Sequence, residues 1–248
     1  MDIGGTGIKG ALVDVKNGLL VTERIRAQTP QPATVKAVAK TFAEVVRQHD
    51  YEGPIGVGFP AVVRDGVTMT ASNIHNEWIG TQAQDVFSNI AGQPVYLLND
   101  ADAAGIAEMT FGEGKGSKGL TVLITIGSGL GSSLFMDGVL IPNTEFGHFK
   151  MHGMIAERYA SNWTRKEEDL SWGEWGKRFN EYLEQIFLYL SPNLIILSGG
   201  VSKKFEKYEP CIDLPIPVVP AKLLNNAGTV GAALYARQME AIAVTNDK

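Results

Sequence analysis

Apolar residues in this chain come in short runs, and most runs stop at glycine, asparagine or aspartate. Val13, Val15, Leu20, Val21 and Ile25 surround Lys16-Asn17-Gly18, a pattern that predicts a β-hairpin. Over 33–49, Val35, Val38, Phe42, Val45 and Val46 recur at helical spacing. The same reading predicts strands over 54–59, 95–98, 120–126, 132–136, 139–141, 193–197 and 216–219. Helices are predicted over 81–90, 101–109 and 170–190, from Val201, and from Gly228 onward, with an irregular hairpin over 60–73 around Asp65-Gly66. Eight apolar or aromatic residues of 170–190, Trp172 to Leu190, fall near one side of the helix, the spacing of a core or interface face.

Three glycine loops end apolar runs: Gly4-Gly5-Thr6-Gly7, Gly127-Ser128-Gly129-Leu130-Gly131 and Gly199-Gly200. Clustered glycines let backbone N–H groups approach an anion without Cβ interference. The first loop leads into a strand, whereas dinucleotide and Walker loops lead into a helix. An ordinary glycine-rich hairpin turn explains any one of these loops; three in one chain suggest a phosphate chain clamped from two sides. The layout strand, glycine loop, strand, turn, strand occurs at 1–25 and again at 120–141, which suggests two related lobes. The lobes are drawn as 1–100 plus 228–248, a small α/β lobe, and 101–227, a large one. A single residue precedes Asp2, so either the natural start lies upstream or the strand leading into the first loop is short.

The 248 residues carry a net charge of -5. That allows one large domain or two modest lobes and makes nucleic acid an improbable partner. One cysteine, Cys211, excludes an internal disulfide and a cysteine-built zinc site. No apolar run reaches about eighteen residues and no signal-peptide pattern is visible, so a cytoplasmic location without membrane spans is expected.

Asn99 and Asp100 fall at the end of a predicted strand and the start of a predicted helix, the edge where open α/β sheets place their sites. Asp100 is the candidate general base for phosphoryl transfer to an alcohol, and Asn99 can hydrogen-bond a sugar hydroxyl. By local sequence an N-cap explains the Asn-Asp pair equally well. Glu145, His148 and Glu157 form a candidate polar set for a sugar. His148 and His152 are four apart, but the further ligands of a four-coordinate metal site are missing.

The segments DIGGTGIKG at 2–10, LNDADAAG at 98–105, ITIGSGLGSSLFMDG at 124–138, NTEFGH at 143–148 and LSGGVSKK at 197–204 resemble the ROK sugar kinase family, in that family's order and over nearly the whole chain. Within it, FPAVVRDGVTMTASNIHNEWIGT, GVLIPNTEFGH and the segment after SGGVSKK are similar to the short polyphosphate glucokinases. The resemblance implies a two-lobed α/β actin/hexokinase/Hsp70-like ATPase fold, with a ribonuclease H-like motif in each lobe and a central cleft. It implies a Mg²⁺-dependent transfer to glucose from polyphosphate, leaving room for ATP as donor, in a homodimer without structural zinc.

Carried over by position, the resemblance makes Asp100 the base for the glucose 6-hydroxyl. Ser72, Asn73, Asn99, Glu145, His148 and Glu157 would hold the sugar. Asp2, Gly4, Gly5, Thr6 and Lys9 would form the first phosphate loop, and Gly127, Ser128, Gly129 and Gly131 the second. Gly199 and Gly200 would border the nucleotide or polyphosphate. Lys9, Lys203 and Lys204 are candidates for a basic path along it, though a solvated helix start explains the Lys203-Lys204 pair slightly better. Phe146 stands where an aliphatic residue is usual in Glu-x-Gly-His. Two other readings stay open: an ATP-dependent kinase of the same family acting on mannose or fructose, and a sugar-sensing regulator without catalysis.

Overall fold

A computed structural model describes residues 1–72 and 74–246. Its contacts divide the chain into two compact units, Met1–Ala107 with Asn226–Lys248, and Glu108–Asn225. The helix that begins at Asp100 therefore stays with the first unit as far as Ala107.

The first unit is built on a five-stranded sheet, in the order Ile25–Ala27, Gly7–Gly10, Asp2–Gly4, Ile55–Phe59, Val95–Asn99. Strands 25–27, 7–10 and 2–4 pair antiparallel in turn, and 2–4, 55–59 and 95–99 pair in parallel. Strand 55–59 is buried at every position, the pattern of a strand covered on both faces. Helix Val35–Val46, capped by Thr34, presses Val38, Phe42 and Val45 into the core. There Phe42, Phe59, Trp78 and Phe87 meet with ring centroids 4.7–6.1 Å apart. The terminal helix Ala227–Asn246 needs the small residues that the sequence puts at its start. A Cβ on Gly56 would overlap the carbonyl of Ala232, and one on Gly231 would overlap that of Ala103.

The second unit repeats the sheet. The order is Val139–Ile141, Leu130–Met136, Leu120–Ile126, Leu194–Ser198, Val218–Pro220. Again the first three pair antiparallel in turn, and 120–126, 194–198 and 218–220 pair in parallel. The aromatic stripe of helix Trp172–Leu190 is core: Trp175, Phe179, Tyr182, Leu183 and Ile186 are buried, while Leu188 and Tyr189 point to solvent. The helix expected from Val201 is instead a 3-10 segment, Ser202–Lys207, broken at Lys204 by non-helical backbone angles. Among the described residues no helix is long and apolar enough to cross a membrane.

Candidate functional site

The first glycine loop is a two-residue turn. Strands 2–4 and 7–10 pair as Asp2↔Lys9, Ile3↔Ile8 and Gly4↔Gly7, leaving Gly5 and Thr6 at the tip. Three pairs are a short ladder, and side chains from the following segment reinforce it. Thr29 donates its hydroxyl proton to the Gly4 carbonyl, and Gln31 Nε2 donates to the Gly5 carbonyl at 3.3 Å. Lys9 does not stand free for a phosphate: its Nζ donates to Asp2 Oδ2 at 2.9 Å, with both side chains largely covered.

Two strands along the same sheet, Asn99 and Asp100 take separate tasks. Asn99 is the helix cap: its Oδ1 accepts from the N–H of Ala101 at 2.8 Å and of Asp102 at 3.1 Å. Its Nδ2 donates to the Ala61 carbonyl at 3.1 Å, which leaves one N–H of the buried amide unassigned. Asp100 follows as the first helical residue and is half-buried. Gly58 lies beside it: a Cβ there would come within 3.4 Å of the Asp100 Cα, near ordinary contact. Ser72 is exposed in the loop beyond the 63–68 hairpin, and Asn73 lies outside the described residues.

In the second unit, seven residue pairs run from Leu120↔Met136 to Ile126↔Leu130, and only 127–129 form the loop. Gly131 is not part of that loop; it sits in the strand opposite Thr125. Gly127 and Ser128 are exposed, with the Gly127 N–H bonded to the Gly129 carbonyl at 3.0 Å. Two further glycines support the loop from its ends. Gly199, at φ +85°, lies so close that a Cβ would fall 2.6 Å from the Ile126 carbonyl oxygen. A Cβ on Gly147 would overlap the Leu130 carbonyl. The glycine of Glu-x-Gly-His thus serves close backbone approach. Gly200, Lys203 and Lys204 are exposed beyond Gly199.

His148 stands between two carboxylates. Its Nδ1 is 3.5 Å from Glu145 Oε2 and its Nε2 is 3.7 Å from Glu157 Oε1. These separations allow charge attraction and are long for direct hydrogen bonds. Burial pushes the Glu145 carboxyl above its ordinary range; His148 pulls it back and the Glu157 charge adds to the rise. Glu157 also accepts from the Leu130 N–H at 3.4 Å, tying the sugar-set candidate to the end of the glycine loop. Among the described residues no group of three or more His, Cys, Asp or Glu is arranged to hold a metal ion.

The ROK family model matches residues 1–166. The chain belongs to the ROK family. A polyphosphate glucokinase of Mycobacterium tuberculosis is 48% identical over 235 residues, 94% of this chain and 89% of its own. The polyphosphate glucokinase of Mycobacterium leprae is 46% identical over 94% of this chain and 72% of its own. Among solved structures, an inorganic polyphosphate/ATP-glucomannokinase from an Arthrobacter strain superposes with a TM-score of 0.93 at 42% identity, covering 96% of this chain and 97% of its own. A ROK glucokinase from Streptomyces griseus, solved with glucose and AMPPNP, gives a TM-score of 0.82 at 25% identity over 96% of this chain and 98% of its own. The fold is thus that of the actin/hexokinase-like sugar kinases, as the sequence motifs implied.

Sequence reasoning named the glycines but missed what holds the first loop. Thr29 and Gln31 lie beyond the motif itself, and nothing in their local pattern marks them as loop partners.

Proposed function

We propose that this chain phosphorylates glucose at its 6-hydroxyl, with inorganic polyphosphate as phosphoryl donor and ATP as a second donor. The observation that carries the reading is the 48% identity to a polyphosphate glucokinase over 94% of the chain. The local geometry suits it. Asn99 serves as the cap, and in this reading Asp100, the first helical residue, is the base that receives the hydroxyl proton. The hydroxyl oxygen forms the new bond to the terminal phosphorus, the bond from that phosphorus to the donor's bridging oxygen breaks, and the shortened donor leaves with the electron pair.

In the same reading Ser72, Asn73 and the remaining Asn99 N–H hold sugar hydroxyls from the first unit. Glu145, His148 and Glu157 hold them from the second. Backbone N–H groups at Gly4–Gly7 and at Ser128 and Gly129 are offered to phosphate oxygens, and Gly199 and Gly200 border the chain of phosphates. Asp2 is held by Lys9 and supports the first loop. Mg²⁺, brought in with the donor, would supply neutralisation of the charge on the phosphates. Such an ion is commonly held by one or two carboxylates plus substrate oxygens, so in this reading most of its ligands would come from the donor's phosphates. The 42% identity to a glucomannokinase supports mannose as a second acceptor in this reading.

The test is glucose 6-phosphate formation with Mg²⁺ and either polyphosphate or ATP as sole donor. Turnover with polyphosphate is expected, and Asp100→Ala should lower kcat by about 10²–10⁴-fold. Turnover with ATP alone would correct the donor; glucose binding without turnover on either donor would replace the kinase reading with that of a sensor.

A further inference from the structure

Strands 2–4, 7–10 and 25–27 place Asp2, Lys9 and Arg26 directly opposite one another in one row, since Asp2 pairs with Lys9 and Lys9 with Arg26. Directly opposed residues share a face of the sheet. Lys9 and Arg26 are like charges in that position, an arrangement that costs stability unless something offsets it. Asp2 offsets one of them, because it accepts from Lys9 at 2.9 Å. Among the described residues Arg26 has no ion pair or side-chain hydrogen bond. Its guanidinium reaches along the strand to the glycine loop: a Cβ on Gly7 would lie 3.1 Å from Arg26 Nε and 3.5 Å from Nη2. Any side chain at position 7 would therefore contest the space the guanidinium occupies.

We infer that Arg26 binds the phosphoryl donor at the first glycine loop and supplies the positive charge there that the sequence pattern assigns to Lys9. A planar guanidinium can present two parallel N–H groups to one phosphate, while the loop contributes backbone N–H groups beside it. Lys9 acts instead on Asp2 and fixes the start of the loop. The ligand class is an oligophosphate, either inorganic or the tail of a nucleotide. A neutral sugar gives a guanidinium no charge to answer. The inference rests on the kinase reading above.

Arg26→Gln should raise the KM for polyphosphate about tenfold to a hundredfold, as loss of a hydrogen bond to a charged partner does. The KM for glucose should stay within about twofold on the same scale. Arg26→Lys should fall between, and Lys16→Gln, which changes net charge equally on an exposed turn, should leave the donor KM alone. Inorganic tripolyphosphate should raise the Tm of the wild-type chain and raise that of Arg26→Gln much less, a readout that needs no acceptor sugar. An unchanged donor KM would show a merely solvated arginine and overturn the inference. A rise of both KM values with a fall in Tm would show a structural role and overturn it too. If tripolyphosphate protects the wild type through Arg26 but glucose is not phosphorylated, the acceptor reading fails while the Arg26 site stands.

Discussion

Each unit builds the same five-stranded sheet, but the two hold their glycine loops by different means. The first unit has three residue pairs behind its loop and adds tethers from Thr29, Gln31 and the Lys9–Asp2 pair. The second has seven pairs behind its loop, with Gly147 and Gly199 admitting close backbone contact at either end. A short ladder leaves the tip free to move, and side-chain tethers restrain it. A long ladder already fixes the tip, so what matters is that nothing pushes its ends apart. The two loops should therefore break in different ways.

The largest effect is expected at Gly199. Gly199→Ala adds a Cβ at φ +85° and 2.6 Å from the Ile126 carbonyl oxygen. Strain and overpacking together should cost about 2–4 kcal/mol, seen as a fall in Tm by calorimetry. Gly4→Ala is the matched change in the first unit, and its Cβ would meet only the Gly7 carbonyl, at 3.6 Å. Its Tm should move by less than about 1 kcal/mol equivalent. Equal losses at the two positions would dissolve the distinction.

Next in size is a tether. Thr29→Val keeps the volume and removes the proton donated to the Gly4 carbonyl. A cost of about 1–2 kcal/mol is expected, together with a severalfold rise in donor KM and little change in glucose KM. If donor KM stays fixed, the short ladder holds the loop unaided.

Acid should act on the second unit through Glu145. Its carboxyl is pushed above the ordinary range, so on acidification it takes a proton before a free glutamate would. The folded state then holds more protons than the unfolded one, so ionised Glu145 costs stability above that range and the cost disappears as pH falls through it. In the proposed sugar site the same protonation removes an acceptor, so glucose KM should rise on acidification earlier than an ordinary glutamate would cause. Glu145→Gln should weaken glucose binding and flatten this part of the profile. An unchanged profile would take Glu145 out of the site.

The smallest effect is expected at His152. Its Nε2 is 2.8 Å from Glu181 Oε2, and its ring lies 4.6 Å from that of Tyr159, whose hydroxyl donates to the same oxygen at 3.0 Å. Through Tyr159 this exposed pair steadies the short helix that carries Glu157. His152→Ala should raise glucose KM by about two- to threefold, in keeping with the ~0.2–1 kcal/mol of an exposed ion pair. A change above tenfold would mean that His152 does more than steady the helix.

Much of the molecule was legible in the chain. The apolar runs at 55–59, 95–99, 120–126 and 194–198 became strands because each is flanked by turn residues and is too short for a buried helix. The repeat of strand, glycine loop and strand was visible because glycine marks turns in both units. The segment after Gly200 misled: its residues suit a helix, but it became a 3-10 segment with a break at Lys204. Gly131 misled in the opposite sense, since a glycine beside a loop looks like part of it while seven paired residues keep it in the strand.

Sequence alone determined which residue types the candidate site has, because glycine loops, an Asn-Asp strand end and Glu-x-Gly-His are local patterns that need no partner to be recognised. Tertiary structure decided which of them are spent on architecture. Asn99 became the cap, Lys9 the partner of Asp2, and Gly147 and Gly199 the points of close backbone approach. Arg26 came to lie against Gly7 across two strands. A charge or an amide can be read from the chain; whether it is already satisfied depends on residues that only folding brings within about 3 Å.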